Sequence, residues 1–326
     1  MTLRFACLLA PGPQTVERAL LAESLGYDRV WLADSPALWQ DIWARLALVA
    51  EHTHRIQLGT AVLIPSLRHV VAQAAAIGTI ADIAPGRLTV GLGTGFTGRA
   101  ALGQHKRLPW AFVKRYVQQL RGLLHGDQVE VDGALCQLIP SAGFMPQRPI
   151  TVPIFLAASG PRGYQVAREV ADGIINPGRP PGADFPECIQ SVWGTVLADG
   201  EALTAPRVRA GAGAAVALRY HLAYEFGGEA VDALPNGRAW RERIEGLPKA
   251  TRHLAVHFGH CVELNEHDAA WIDMTAAQQL SFTGTADELR ERLATMEAQG
   301  VTEVVFGVMS ADVPRELRAF AQLAEQ

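Results

Sequence analysis

The stretch Arg87–Gly98, RLTVGLGTGFTG, decides the fold. A β-rich run, Leu88-Thr89-Val90, leads straight into Gly91, Gly93, Gly95 and Gly98. Glycine has no Cβ, so its backbone can turn tightly or pass close to a ligand. Loops of this kind at strand ends are where α/β folds often seat a phosphate or a flat ring. Gly93–Gly98 also matches G-x-G-x-x-G, the dinucleotide fingerprint. In a Rossmann domain, however, that fingerprint forms the first strand–helix turn and is followed about 20 residues later by an acidic residue. Here three strand–helix units come first, and residues 115–126 read as helix. The Walker alternative lacks its Gly-Lys-Ser/Thr. Two readings remain: glycines that only make a tight turn, or a ligand-facing loop at the carboxyl end of a fourth barrel strand.

Outward from this loop the pattern alternates. Strands are expected at Arg4–Ala10, Asp28–Ala33, Ile56–Leu63, Leu88–Gly93, Ile154–Ala158, Gly173–Asn176, Val208–Leu218 and Val301–Val308. Helices are expected at Thr15–Leu25, Leu38–His52, His69–Ile83, Pro109–Leu124, Pro161–Ala171, Phe185–Leu197, Thr285–Gln299 and Pro314–Glu325. Strands separated by helices pair in parallel through right-handed crossovers. Eight such units predict a (β/α)8 TIM barrel, a single domain over residues 1–326. Gly126–Thr151 and Tyr220–Phe282 exceed ordinary connections and read as insertions, the first with a hairpin at Gln128–Leu138, the second largely helical.

Composition narrows the partners. The 326 residues are 49% hydrophobic and 19% charged, enough apolar matter for a large core. A net charge of −4, with both signs interspersed, argues against nucleic acid or an anionic membrane surface as partner. Cys7, Cys136, Cys188 and Cys261 are scattered, which suits a reducing cytoplasm better than disulfides or a zinc site. Phe5–Ala10 is too short for a signal-peptide core, and no apolar run approaches the roughly 20 residues that span a bilayer. A soluble cytoplasmic protein is expected.

On a barrel, function sits at the carboxyl ends of the strands. Asp34 follows the second strand, as a rim carboxylate or a helix cap. Thr60, Ala61 and Val62 follow on the third, then Arg68 and His69. Ala158-Ser159-Gly160-Pro161-Arg162 ends the fifth strand; the Ser159 hydroxyl and the free N–H groups there suit an anion, or Ser159 is an ordinary N-cap.

The chain resembles the luciferase-like flavin and deazaflavin oxidoreductases, in particular the branch of methylenetetrahydromethanopterin reductase, which uses coenzyme F420. The landmarks are GYDRVWLADS (Gly26–Ser35), RIQLGTAVLIPSLRH (Arg55–His69), GRLTVGLGTG (Gly86–Gly95), PIFLAASGPRGYQVAREVADGII (Pro153–Ile175) and FTGTADELRERLATMEAQGVTEVVFG (Phe282–Gly307). The resemblance implies a tricyclic ring lying across the strand ends. It also implies a third-strand bulge with a non-prolyl cis peptide, matching Ala61–Val62. Asp34 and Thr60 would contact the ring or its polyol, Thr94 and Gly95 would lie beneath it, Ala158, Ser159, Gly160 and Arg162 would seat the phosphate, and Ile175 would give a backbone contact. Two places depart from the family pattern: Ser35-Pro36 follows the strand-two aspartate, and Phe96-Thr97 follows GTG, where many relatives have Asp-Ser or Glu-Ala.

The expected chemistry is hydride transfer between F420 and a small organic substrate, reducing C=C, C=N or C=O, with a protein proton donor. Asp34 and His69 are the catalytic candidates, with His257, His260 and Tyr220 as further proton donors. Trp39, Phe96 and His257 are the substrate-pocket candidates, with Trp110 a further wall residue. His257-x-x-His260 with Glu263 lacks a third well-spaced ligand, so no metal is expected. The alternatives are an FMN-dependent monooxygenase using O2, or a non-catalytic cofactor-binding barrel. A homodimer is expected.

Overall fold

Short, largely apolar segments supply the strands, as parallel sheets covered on both faces require. They are β1 (Arg4–Leu9), β2 (Arg29–Leu32), β3 (Gln57–Leu63), β4 (Leu88–Gly93), β5 (Ile154–Ala157), β6 (Gly173–Asn176), β7 (Cys188–Trp193) and β8 (Glu303–Gly307). In the computed structural model, which describes residues 3–176, 185–308 and 310–324, all eight pair in parallel and in chain order, β8 closing on β1. The expected (β/α)8 barrel is therefore the observed one. Among the described residues, no helix is long and apolar enough to cross a membrane.

The crossover helices carry readable start and stop signals. The Asp41 side chain accepts from the amides of Trp43 and Ala44 and starts the Ile42–His52 helix. Thr285 and Glu288 form a capping box for Ala286–Ala298, and Gly126 ends Trp110–His125 with φ 106°. The closing helix is Val313–Ala321; Glu325, the last residue of its expected span, lies outside the described residues. The hairpin is present, with strands Val129–Val131 and Ala134–Cys136.

Two expectations are overturned. Phe185–Leu197 is not a helix: Cys188–Trp193 is the seventh barrel strand, paired with β6 and β8. Val208–Leu218 is not a strand: it lies inside a helix spanning Pro206–Gly227. A short apolar run does not reveal its period, and neighbours in the barrel decide the first case. In the second, Pro206 at the first turn and six alanines favour helix. Its glycines are contact points, since a Cβ on Gly213 would sit 2.4 Å from Leu264. The second insertion thus begins just after β7, well before Tyr220. It has its own core around Tyr220, Trp240, Ile244 and Val256.

The barrel floor is charged. Glu303, fully buried, accepts from Trp31 Nε1 at 2.8 Å and from Arg29 Nη1 at 2.7 Å. Gly59 makes room for the Trp31 ring, which a Cβ there would meet at 2.2 Å.

Candidate active site

Above that floor the barrel interior is apolar: Ala6, Leu8, Trp31, Phe155, Ile175, Ile189 and Val305 pack together. The same cluster rises to the mouth through Trp39, Ala61, Val62, Ala157 and Trp193, all half-buried, where it meets Cys261 and Val262 from the second insertion. A flat apolar platform with an overhanging cover results.

The bulge builds that platform. Thr60 pairs with Val90 and Leu63 with Leu92, so β3 carries one residue more than β4 between these points. The Ala61–Val62 peptide inside it is cis, as the resemblance implies. Thr60 is fully buried, and its hydroxyl donates to Gly91 O at 3.1 Å and accepts from Gly91 N at 2.9 Å. It therefore pins the bulge to β4 instead of offering a free polar group. A Cβ on Gly91 would meet Thr60 O at 2.3 Å, and one on Gly93 would meet Val62 Cγ2 at 2.8 Å. Gly95 has φ +75° and Gly98 abuts Ile64. These glycines are required first by protein neighbours, above all the bulge.

Asp34, buried, joins two rim loops. Its Oδ2 accepts from Arg68 Nη1 at 2.7 Å, while Arg68 Nη2 reaches Asp41 Oδ2 at 2.7 Å. Burial pushes the Asp34 carboxyl above its ordinary range, and Arg68 opposes that shift. Arg68 was visible in sequence as a rim residue, but its pairing with Asp34 was not.

One flank opens into a cavity of about 450 Å³ lined by Thr94, Arg107, Trp110, Ala157, Ser159 and Arg162, among others. The Pro161–Val170 helix begins here. Gly160, with φ +79°, is its N-cap and supplies no side-chain bond, so Ser159 is not the cap. The first-turn amides and the exposed Ser159 and Arg162 side chains have no hydrogen-bond partner among the described residues, a set of donors suited to an anion. Trp110 packs on this helix start, 2.8 Å from where a Gly163 Cβ would be. Arg107, which the sequence did not single out, lies over the Phe226 ring at 3.7 Å, and Phe226 stacks on Phe96 at 4.6 Å.

Three expected roles are corrected. His69 is exposed, and its Nδ1 accepts from Val71 N at 3.3 Å, which makes it the cap of the Val70–Ile83 helix. His257 is buried with Nε2 bound to Glu225 Oε1 at 2.8 Å, so it does not line the pocket. Tyr220 donates to Pro235 O at 2.6 Å inside the insertion core, and burial pushes its hydroxyl up to about 12. Glu263 takes no part in a metal cluster among the described residues.

His260 is drawn to the glycine loop instead. Its Nε2 lies 3.4 Å from Thr97 Oγ1 and its Nδ1 lies 3.1 Å from His221 Nδ1. Burial, then the neighbouring His221 and His257, hold its pKa well below the ordinary value. A depressed histidine pKa means the unfolded chain binds the extra proton. Stability should be complete above about pH 6.5 and fall as pH drops below it, by up to about 1.4 kcal/mol per unit for this group. Urea denaturation of wild type and His260→Gln from pH 7.5 to 5 checks this: the variant should show the shallower slope.

A profile for the luciferase-like monooxygenases matches residues 9–303. The chain belongs to that family. It is 33% identical over 176 residues to 5,10-methylenetetrahydromethanopterin reductase of Methanolobus tindarius, and 35% identical over 175 residues to F420-dependent glucose-6-phosphate dehydrogenase of Beutenbergia cavernae. These matches cover 53% and 48% of this chain, and the chain spans about half the length of each relative, 52% and 50%. The Archaeoglobus fulgidus reductase matches at 26% over 303 residues, 88% of this chain and 87% of the relative. In structure, the chain superposes on the coenzyme F420 dependent tetrahydromethanopterin reductase of Methanopyrus kandleri with a TM-score of 0.70 at 18% identity, covering 99% of this chain and 98% of that one. An F420-dependent secondary alcohol dehydrogenase, solved with an F420–acetone adduct, gives 0.69 at 16% identity with both chains fully covered at 100%. At these identities the two structures speak for the fold alone.

Proposed function

We propose that this family member is an F420-dependent oxidoreductase that moves a hydride between the deazaflavin and a small organic substrate. The observation that carries this reading is the sequence of surfaces along one rim: an apolar platform on a bulge at one end and unpartnered anion donors at the other. That order suits a flat ring joined to a phosphate. The activities of the relatives point the same way.

When bound, the deazaflavin supplies the hydride chemistry. The protein supplies place and exclusion of water. Ala61 and Val62, held by Thr60 and Gly91, would back the ring, with Thr94 and Gly95 beneath it. Ala158 and Gly160 set the course of the loop on which Ser159, Arg162 and the helix amides would hold the phosphate, with Arg107 adjoining. Ile175 packs inside the barrel beneath the platform through its side chain, and its carbonyl already accepts from Ala158 N at 3.2 Å. Trp39 and Trp193 would wall the reacting face, with Phe96 and Phe226 toward solvent.

Anaerobic titration with F420 and with FMN, followed by absorbance, tests the proposal. F420 binding without FMN binding is the expected result. Tight FMN binding with NADH-driven O2 uptake would overturn it in favour of a monooxygenase, and binding of neither in favour of a non-catalytic barrel. Arg162→Ala should weaken F420 about tenfold or more, the worth of one charged hydrogen bond, while leaving binding of a phosphate-free deazaflavin fragment unchanged.

The reading includes a cytoplasmic homodimer. The four cysteines are unpaired, and Leu135, Ile139 and Phe144 stand out from the first insertion at 73%, 84% and 83% exposure. Light scattering should give twice the chain mass of 35.1 kDa, and an Ile139→Lys, Phe144→Lys double variant should reduce it toward that mass.

A further inference from the structure

The second insertion carries a buried polar chain that the hydride reading does not use. Trp240 Nε1 donates to Asp268 Oδ1 at 2.9 Å. His221 Nε2 lies 3.1 Å from both Asp268 oxygens, and the His221–His260 and His260–Thr97 contacts continue the chain. Asp268, His221 and His260 are at most 3% exposed, whereas Thr97 is half-buried at the start of the short Thr97–Ala100 helix that follows β4. Thr97 is therefore the one open end. The residues after His260, Cys261 and Val262, pack on the barrel-mouth cluster with Trp39, Ala61 and Val62, so the chain ends beside the proposed reacting face.

Each link sets the direction of the next. A carboxylate only accepts, so the His221 proton is on Nε2. A neutral imidazole has one N–H, so His221 Nδ1 is a lone pair and His260 Nδ1 must donate to it. His260 Nε2 is then a lone pair, and it accepts from the Thr97 hydroxyl. The contact of 3.4 Å is long, as such contacts often are before substrate binds. The Thr97 oxygen is left with lone pairs for a donor in the pocket. The resting chain is thus poised to take a proton, as the oxidation of a substrate hydroxyl requires.

We propose that Thr97, His260, His221 and Asp268 form a proton relay that commits this site to interconverting an alcohol and a carbonyl. This rests on the hydride-transfer reading. In oxidation, the carbinol C–H bond breaks and its electron pair leaves with the hydrogen to the bound oxidised cofactor. The substrate O–H proton passes to Thr97 Oγ1 as the Thr97 proton moves to His260 Nε2. The His260 Nδ1 proton then moves to His221, leaving an imidazolium beside the Asp268 carboxylate and a C=O bond in the product. Reduction is the reverse. Thr97 touches substrate and is the catalytic residue; His260, His221 and Asp268 act through it. The other charged or titratable neighbours are His257, 5.1 Å from the His260 ring between centroids, Glu225 on His257, and Arg107, which feels the charge of Glu225.

The first test needs no cofactor. Long-range ¹H–¹⁵N correlation on the free protein should show His221 protonated on Nε2 and His260 on Nδ1. Asp268→Asn presents an amide donor to His221 and should flip both tautomers. The second test is turnover of short primary and secondary alcohols with F420. Thr97→Val should lower kcat about 100-fold with F420 affinity unchanged, and Thr97→Ser should restore most of it. Asp268→Asn should also move the pH profile of kcat. Unflipped tautomers, full turnover by Thr97→Val, or turnover confined to C=C or C=N substrates would each overturn the relay while leaving the F420 assignment intact. Failure of wild type to bind F420 overturns both.

Discussion

Glu303→Ala should lower unfolding free energy by about 3–5 kcal/mol, the cost of removing one partner from a buried ion pair. Glu303 is fully buried in the floor of the barrel, where it accepts from Arg29 and Trp31. Its removal strands the Arg29 guanidinium, 11% exposed, and the Trp31 indole N–H, which is buried as well. The loss from two unmet donors adds to the loss from the uncompensated charge. Glu303→Gln keeps one acceptor and should cost less. Urea melts of the two variants read the difference. Because the floor lies at the far end from the mouth, F420 affinity measured on the folded fraction should change little.

Gly91→Ala should have the opposite profile, with binding hit hardest. The new Cβ would lie 2.3 Å from Thr60 O and 2.8 Å from Ile175 Cδ1. Ile175 can shift, but Thr60 O is backbone, held in the β3–β4 ladder and by the Thr60 hydroxyl on Gly91. The bulge must therefore move, carrying Ala61 and Val62 with it. Overpacking of this kind costs about 1–3 kcal/mol of stability. A displacement of about 1 Å in the surface that positions the reacting group costs on the order of 100-fold in rate. F420 titration and turnover of Gly91→Ala, set against a melt, check both halves. Gly126→Ala, at a helix end remote from the bulge, serves as a control that perturbs stability without binding.

The barrel was legible because its strands are short apolar runs placed between helices with ordinary caps. Seven of the eight strands and the hairpin are where the sequence pattern puts them, and the Ala61–Val62 cis bond is where the family resemblance implies it. The seventh strand was missed because CIQSVW has no period of its own that separates strand from helix. The long helix after it was missed because Gly211 and Gly213 look like breakers, whereas they let Thr195 and Leu264 approach. The unpartnered donors at Ser159 and Arg162 were legible from local pattern, since a helix start is a local feature. Arg107 and the His221–Asp268 pair were not, because the contacts that define them, Arg107 with Phe226 and His221 with Asp268, join residues 119 and 47 positions apart.

By itself the sequence determined the alternation, and so the fold, and the rim on which a site must lie. It also determined that the loop Arg87–Gly98 is a fourth barrel strand and its turn, not a dinucleotide fingerprint. Only the tertiary structure decided what its glycines are for. They leave room for the β3 bulge and for Ile64, contacts between strands that no local spacing encodes. The same holds for the roles of the polar residues. A histidine's chemistry depends on what its two nitrogens meet, which separates His69, an exposed cap, from His260, buried against Thr97.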